Sequence, residues 1–235
     1  MLRLRIFIGP NGSGKSSLYK QLKGKFNLGI YINPDDIHSM LQESSILDFE
    51  DFHILAKQQK WEHFWKSHGL SQKAPLLKKS HVTHNILVLQ AKAGPYESSI
   101  ISDFIRHTIL NTQETFSFES VFSHPSKLAF LKKANTHNYQ CYLYFVATSS
   151  PELCMDRVQQ RTSEGGHDVP VGKIKSRYYL SLQNLFPAMQ IAHRAFLFDN
   201  SYKMKLIAEM SPTKSLKIKE NHIPIWLKEY VLDKL

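Results

Sequence analysis

Short apolar runs alternate with longer amphipathic stretches along this chain. Leu2–Ile8 is a near-continuous apolar run, the pattern of a strand buried on both faces. Similar runs recur at 28–32 and 140–147. A further run at 194–198 matches them, and 115–119 alternates before ending in Ser-Val-Phe-Ser. Between these runs the spacing predicts helices over 15–25, from Pro34 onward, over 96–111, over 126–137 with Ser123 as cap, from Pro151, and over 173–190. Asn33 and Ser150 stand where N-caps belong, each followed by proline at the first helical position. Segments 205–210 and 215–219 read as strands or a strand pair, and 222–235 as a closing helix. Strand–helix alternation of this kind predicts a three-layer α/β fold with a mainly parallel five-stranded sheet.

Residues 43–113 interrupt the alternation. Both 45–69 and 80–93 read as mostly helical, which predicts a helical insertion that either caps the substrate side or serves as a purely structural buttress. Trp61, Phe64 and Trp65 fall at i, i+3, i+4, the spacing of a core stripe rather than a base-stacking platform. The expected organisation is one domain over 1–235, with this insertion, a lid loop at 162–172 and a C-terminal extension at 203–235.

The first strand and first helix enclose Gly9-Pro10-Asn11-Gly12-Ser13-Gly14-Lys15-Ser16, which fits G-x-x-x-x-G-K-[ST] at every defined position. Glycines let such a backbone curl so that several N–H groups face phosphate oxygens, and the following helix adds its positive end. Lys15 can reach the β- and γ-phosphates of ATP, and Ser16 can hold Mg²⁺. The residues expected to bind the nucleotide are Gly9, Pro10, Asn11, Gly12, Ser13, Gly14, Lys15, Ser16 and Ser17.

Other candidates sit where strands end, the edge at which α/β sheets bind ligands. Asp35 and Asp36 follow the second strand. Asp36 reads as a helix-capping charge and Asp35 as chemistry. Glu119 ends the third strand, where it can orient an acceptor hydroxyl or a water on Mg²⁺. Arg157 and Arg161 share a helix face, and Arg177 lies beyond a Gly-Gly-His-Asp-Val-Pro loop containing His167. Arginines flanking a hinge-rich loop suit a lid that closes over a transferring phosphoryl group. Arg106 is a candidate substrate contact within the insertion. Asp199 ends the fifth strand, either as a Walker B-like acid or as part of a turn beside the adenine.

Composition narrows the partners. The 235 residues carry a formal charge of +10, with 42% apolar and 21% charged residues. The basic residues are dispersed and no nucleic-acid fold signature accompanies them. An anion-binding cleft therefore accounts for the charge better than a nucleic-acid site. Cys141 and Cys154 show neither metal-ligand spacing nor a disulfide framework. A cleavable leader would destroy the first strand, and no apolar run approaches the length of a membrane span. The expectation is a cytoplasmic protein without a membrane partner.

Taken together, Gly-Pro-Asn-Gly-Ser-Gly-Lys-Ser (9–16), Tyr-Ile-Asn-Pro-Asp-Asp-Ile (31–37), Phe-Ser-Phe-Glu-Ser-Val-Phe-Ser (116–123), Arg-Val-Gln-Gln-Arg (157–161), Gly-Gly-His-Asp-Val-Pro (165–170), Arg-Tyr (177–178) and Asp-Asn-Ser (199–201) resemble the zeta-toxin family of P-loop kinases. The resemblance spans residues 1 to about 201. It implies ATP and Mg²⁺ as cofactors, Lys15 on the ATP phosphates and Asp35 as the base for an acceptor hydroxyl. It also implies Glu119 on the substrate side, and Arg161 and Arg177 as the phosphate-contacting lid arginines. The acceptor it implies is a small-molecule hydroxyl, as in UDP-N-acetylglucosamine kinases, and the partner an antitoxin protein. The chain departs from the family in reading Asn-Pro-Asp-Asp after the second strand and Glu-Ser after the third. The readings outside this class are an ATP-switched binding or regulatory protein and a nucleic-acid kinase.

Overall fold

A computed structural model describes residues 1–164 and 169–235. In chain order, β1 (Arg3–Ile8) leads into α1 (Lys15–Lys23), and β2 (Ile30–Ile32) into α2 (Pro34–Glu43). There follow β3 (Ile46–Asp48), α3 (Gln58–Ser67), β4 (His81–Thr83), β5 (Ile86–Val88) and α4 (Pro95–Ile109). Next come β6 (Phe116–Ser120), α5 (Ser126–Thr136), β7 (Gln140–Ala147), α6 (Pro151–Ser163), α7 (Val171–Gln183) and α8 (Leu185–Ile191). The chain closes with β8 (Arg194–Asp199), β9 (Lys205–Met210), β10 (Leu216–Ile218) and α9 (Ile225–Tyr230). Met1–Leu28 and Ser117–Leu235 form one compact unit, and Gly29–Phe116 forms a second.

The first unit is built on strands in the order β10-β9-β8-β7-β1-β6. β1 pairs parallel with β7, and β7 parallel with β8. Alternation of side chains gives this sheet two apolar faces. On one, Ile6, Leu143, Ala195 and Met210 lie in register, and Phe145 meets Trp226 of α9. On the other, the rings of Phe7, Tyr144 and Phe196 stack at 5.0 and 5.1 Å, with Tyr19 of α1 edge-on to Phe7. Helices therefore cover both faces, which makes the three expected layers. Burial on both faces explains why β7, and β1 apart from Arg3 and Arg5, read as apolar runs. Counting β9 and β10, the central sheet exceeds the expected five strands. The two beyond the parallel set are β9 and β10, which add antiparallel after β8. Ser150 caps α6 by accepting from Leu153 N, as its position predicts. Ser123 does not cap α5, which begins at Ser126 after Pro125.

The second unit packs around α4. Ile100, Ile101, Phe104, Ile105 and Ile109 of this helix are all buried. The rings of Phe49, Trp61 and Phe64 surround Phe104 edge-on at 5.2 to 5.4 Å. The 61/64/65 stripe is thus core, as its spacing predicts. Residues 80–93 are not helical. They form the β4–β5 hairpin of a three-stranded antiparallel sheet in the order β3-β5-β4, and 46–48 is strand as well. The hairpin turns at His84 and Asn85, both with positive φ, which is the geometry of a tight two-residue turn and incompatible with a helix.

Trp61 is 0% exposed and donates its indole N–H to Ser80 Oγ at 2.8 Å. Truncation to alanine removes the ring from a close-packed aromatic cluster and leaves that hydroxyl without its donor. The expected cost is about 3–5 kcal/mol. Chemical denaturation of Trp61→Ala checks this, and an unchanged midpoint would contradict the core assignment.

Candidate active site

The loop between β1 and α1 takes the form its glycines dictate. Gly9 has φ +143°, and a Cβ there would stand 2.0 Å from Val146 O. Gly12 has φ +76°, and a Cβ there would stand 2.4 Å from Cys154 O. Both positions press the loop onto the ends of β7 and α6, so no other residue fits. Lys15 folds back over the loop and donates from Nζ to Pro10 O at 2.8 Å. α1 starts from Gly14 with no capping side chain and no acid in its first turn. Its N-terminal positive end, at Lys15, Ser16 and Ser17, is therefore left to act on an anion at the loop.

Two further pieces of the same unit converge on this loop. Ser16 Oγ donates to Glu119 Oε2 at 3.0 Å. Glu119 is only 5% exposed, so the end of β6 places a buried carboxylate against the hydroxyl of the loop motif. The turn after β8 lies on the loop's other edge. Asn200 Nδ2 donates to Ser13 O at 2.8 Å, and Asn200 N donates to Ala147 O at 2.8 Å. Arg157 donates from Nη1 to Asn200 O at 2.8 Å and from Nη2 to Ser201 O at 3.2 Å. Asp199 accepts from Ser201 N at 3.0 Å and from Trp226 Nε1 at 2.9 Å. Of its two sequence readings, Asp199 thus takes the turn. Arg157 braces that turn.

Beneath the loop, Tyr178 of α7 donates to Thr148 O at 2.6 Å, and Thr148 Oγ1 lies 3.1 Å from Cys154 Sγ. Burial pushes the Cys154 thiol and the Tyr178 phenol upward, so both stay neutral and serve as packing. α6 packs against α7. Arg161 and Arg177 lie on these two helices and are half-buried. The connecting residues 165–168 lie outside the described residues, which takes in His167 and part of the expected 162–172 lid.

The second unit carries the other candidates. Asn33 caps α2 by accepting from Asp35 N at 3.1 Å. Asn33 Nδ2 also donates to Asp36 Oδ1 at 3.0 Å. Asp36 is thereby part of the cap, as its position suggested. Asp35 contributes its backbone to the cap, and its residue is exposed in the first turn. Arg106 is 4% exposed and ion-paired with Asp103, which also receives His68 Nε2 at 3.2 Å. Burial pulls the Arg106 guanidinium down to about 9, still charged at neutral pH. Arg106 is therefore anchored within the interior of its own unit.

A phosphate loop with a carboxylate on its serine thus follows the first strand of a three-layer α/β fold. Particular solved structures share it. A chain of the AvrRxo1-ORF1:-ORF2 complex with ATP matches at a TM-score of 0.59 and 14% identity, over 93% of this chain and 61% of that chain. The same complex with sulphate ions matches at 0.60 and 13% identity, over 94% and 62%. A chain of the PezAT chromosomal toxin–antitoxin system of Streptococcus pneumoniae matches at 0.50 and 14% identity, over 98% and 79%. The chain thus spans about three fifths of the length of the AvrRxo1 chains. No family model matches the chain. No curated protein matches it either. Among the described residues, no helix is long and apolar enough to cross a membrane.

Proposed function

We propose that this protein transfers the γ-phosphate of ATP to a hydroxyl of a small-molecule acceptor. The observation that carries the reading is the contact between Ser16 Oγ and Glu119 Oε2 on the edge of a fully formed phosphate loop. A hydroxyl and a buried carboxylate 3.0 Å apart form a hard-oxygen donor pair, which suits Mg²⁺ better than a softer metal. Ser16 and Glu119 would hold the ion, whose chemistry is to neutralise charge on the β- and γ-oxygens. Lys15 binds the phosphates, and Arg161 and Arg177 offset charge as it develops on the transferring group. Asp35 orients the acceptor hydroxyl and takes its proton late in transfer, since phosphoryl transfer is loose. Arg106 orders the acceptor side through Asp103 and His68.

A UDP-N-acetyl sugar is the acceptor to try first, on the resemblance to zeta toxins. The structural likeness to a toxin–antitoxin system supports a silencing protein partner in the same way. Incubation with Mg-ATP and a metabolite extract containing UDP-N-acetylglucosamine tests the reading. Mass spectrometry should find a new species heavier by one phosphoryl group, absent without enzyme. ATP binding with no phosphorylated product, together with salt-dependent affinity for DNA or RNA, would instead indicate a nucleotide-switched binding protein.

A further inference from the structure

Arg5 of β1 is 5% exposed, yet its Nε and Nη1 are buried without a hydrogen-bond partner. Unmet N–H groups on a buried charge are costly, and an anion is what relieves them. The strand register shows what surrounds this side chain. Arg5 pairs with Tyr142 of β7, and Tyr142 with Arg194 of β8, so two arginines flank one tyrosine on a single face of the sheet. Arg194 Nε is buried and unpartnered as well. Ring contacts do not meet the need. Arg5 Cζ lies 5.6 Å from the centroid of the Tyr142 ring, and Arg194 Cζ 5.5 Å from that of Phe196. Such contacts use the flat face of a guanidinium, whereas its N–H groups point outward in the plane. Among the described residues, no carboxylate pairs with either arginine. Glu209 of β9 stands across from Phe196 on this face, but Lys219 Nζ holds it at 2.8 Å. Burial pushes the Tyr144 phenol upward, so it stays neutral and supplies no charge. Tyr142 and Arg194 are half-buried, which leaves the row open to solvent. One strand separates the two that carry the arginines, so their Cα atoms are about 9–10 Å apart, a width that admits a tetrahedral oxyanion between the side-chain heads. Arg5 stands about 13 Å along β1 from the start of the phosphate loop at Gly9, so the row is distinct from that loop.

We infer that Arg5 and Arg194 form a second oxyanion site on this sheet face, which takes a phosphate-type group between the two guanidiniums. Arginine suits the task because its planar fork matches phosphate oxygens two at a time. The anion supplies the charge and the acceptors that the fold withholds, so its binding stabilises the folded chain. A free anion and a phosphoryl group on a larger molecule share this chemistry. The site does not depend on what the phosphate loop holds, so it stands or falls apart from the kinase reading.

The test follows stability by chemical denaturation while inorganic phosphate replaces chloride at constant ionic strength, so that general screening cancels. Wild type is compared with Arg5→Met, Arg194→Gln and Lys15→Ala. Phosphate at one hundred times its Kd should raise the folded-to-unfolded ratio of wild type about 100-fold. The response should persist in Lys15→Ala, weaken in Arg194→Gln and disappear in Arg5→Met. Without phosphate, Arg5→Met should be at least as stable as wild type, because an apolar side chain replaces an unmet buried charge. Glycerol 3-phosphate is run alongside. A larger response than to phosphate at equal concentration identifies a phosphoryl group on a larger molecule, and an equal one the free ion. An undiminished response in Arg5→Met, or its loss in Lys15→Ala, places the anion at the phosphate loop and overturns the inference. No response beyond that to chloride in wild type overturns it too. Should Arg5→Met fail to fold, Arg194→Gln decides, and an undiminished response there has the same consequence.

Discussion

Replacement of Lys15 by alanine is expected to reduce γ-phosphoryl transfer about 10³-fold. Lys15 Nζ already stands over the phosphate loop, 2.8 Å from Pro10 O. A unit charge about 4 Å from a phosphate oxygen, in surroundings of effective dielectric about 20, contributes about 4 kcal/mol. If most of that interaction grows as negative charge shifts in the transition state, the rate effect is roughly a thousandfold. The substitution is benign for the fold. Lys15 is the first residue of α1, and alanine is the best helix former. Initial rates of the phosphorylated product, followed by mass spectrometry, measure the effect. ATP affinity should fall as well, because the ground state also uses the charge. A rate within tenfold of wild type would show that the loop does not hold the transferring phosphate.

The parts of this molecule that were legible in its sequence are those encoded by consecutive residues. The loop at 9–16 is one, because glycine's backbone freedom is a local property. The Asn33-Pro34 cap of α2 is another, since its hydrogen bonds span two or three residues. The buried strands β1, β7 and β8 were visible because burial on both faces leaves a continuous apolar run. What escaped is what only the folded chain brings together. Ser16 and Glu119 lie 103 residues apart, and Asn200 and Ser13 lie 187 apart. Nothing near Asp199 in sequence announces Trp226 as its donor. The β4–β5 hairpin was missed for a different reason. Three-residue strands show too little alternation to register against a helical background, and their stability comes from pairing with β3 and burial of Leu87. Its one local signal was Asn85 at the turn, a residue type that tolerates positive φ. Arg106 read as a substrate contact because helical spacing cannot show that α4 is buried on nearly every side.

Asp35→Asn is expected to cut transfer to the true acceptor about 10²–10⁴-fold while leaving ATP affinity within about twofold of wild type. The substitution suits the question because it changes charge and basicity and almost nothing else. Asn33 caps α2 through the backbone N–H of Asp35, and Ser39 Oγ donates to the Asp35 carbonyl. Both contacts survive an isosteric side-chain exchange. Loss of one negative charge from the first helical turn costs about 0.3–1 kcal/mol, and Asp36 retains the other. The variant should therefore fold, so a lost rate reports on chemistry. The two readouts divide the alternatives. If Asp35 serves the acceptor, single-turnover product formation collapses while calorimetric ATP binding persists. A fall in ATP binding alongside the rate would move Asp35 to the nucleotide or its metal. Near-normal turnover would remove it from the proton-transfer step. In that case the acceptor's proton would leave through another group, as a loose transition state permits when the hydroxyl loses its proton only after the bond to phosphorus has formed.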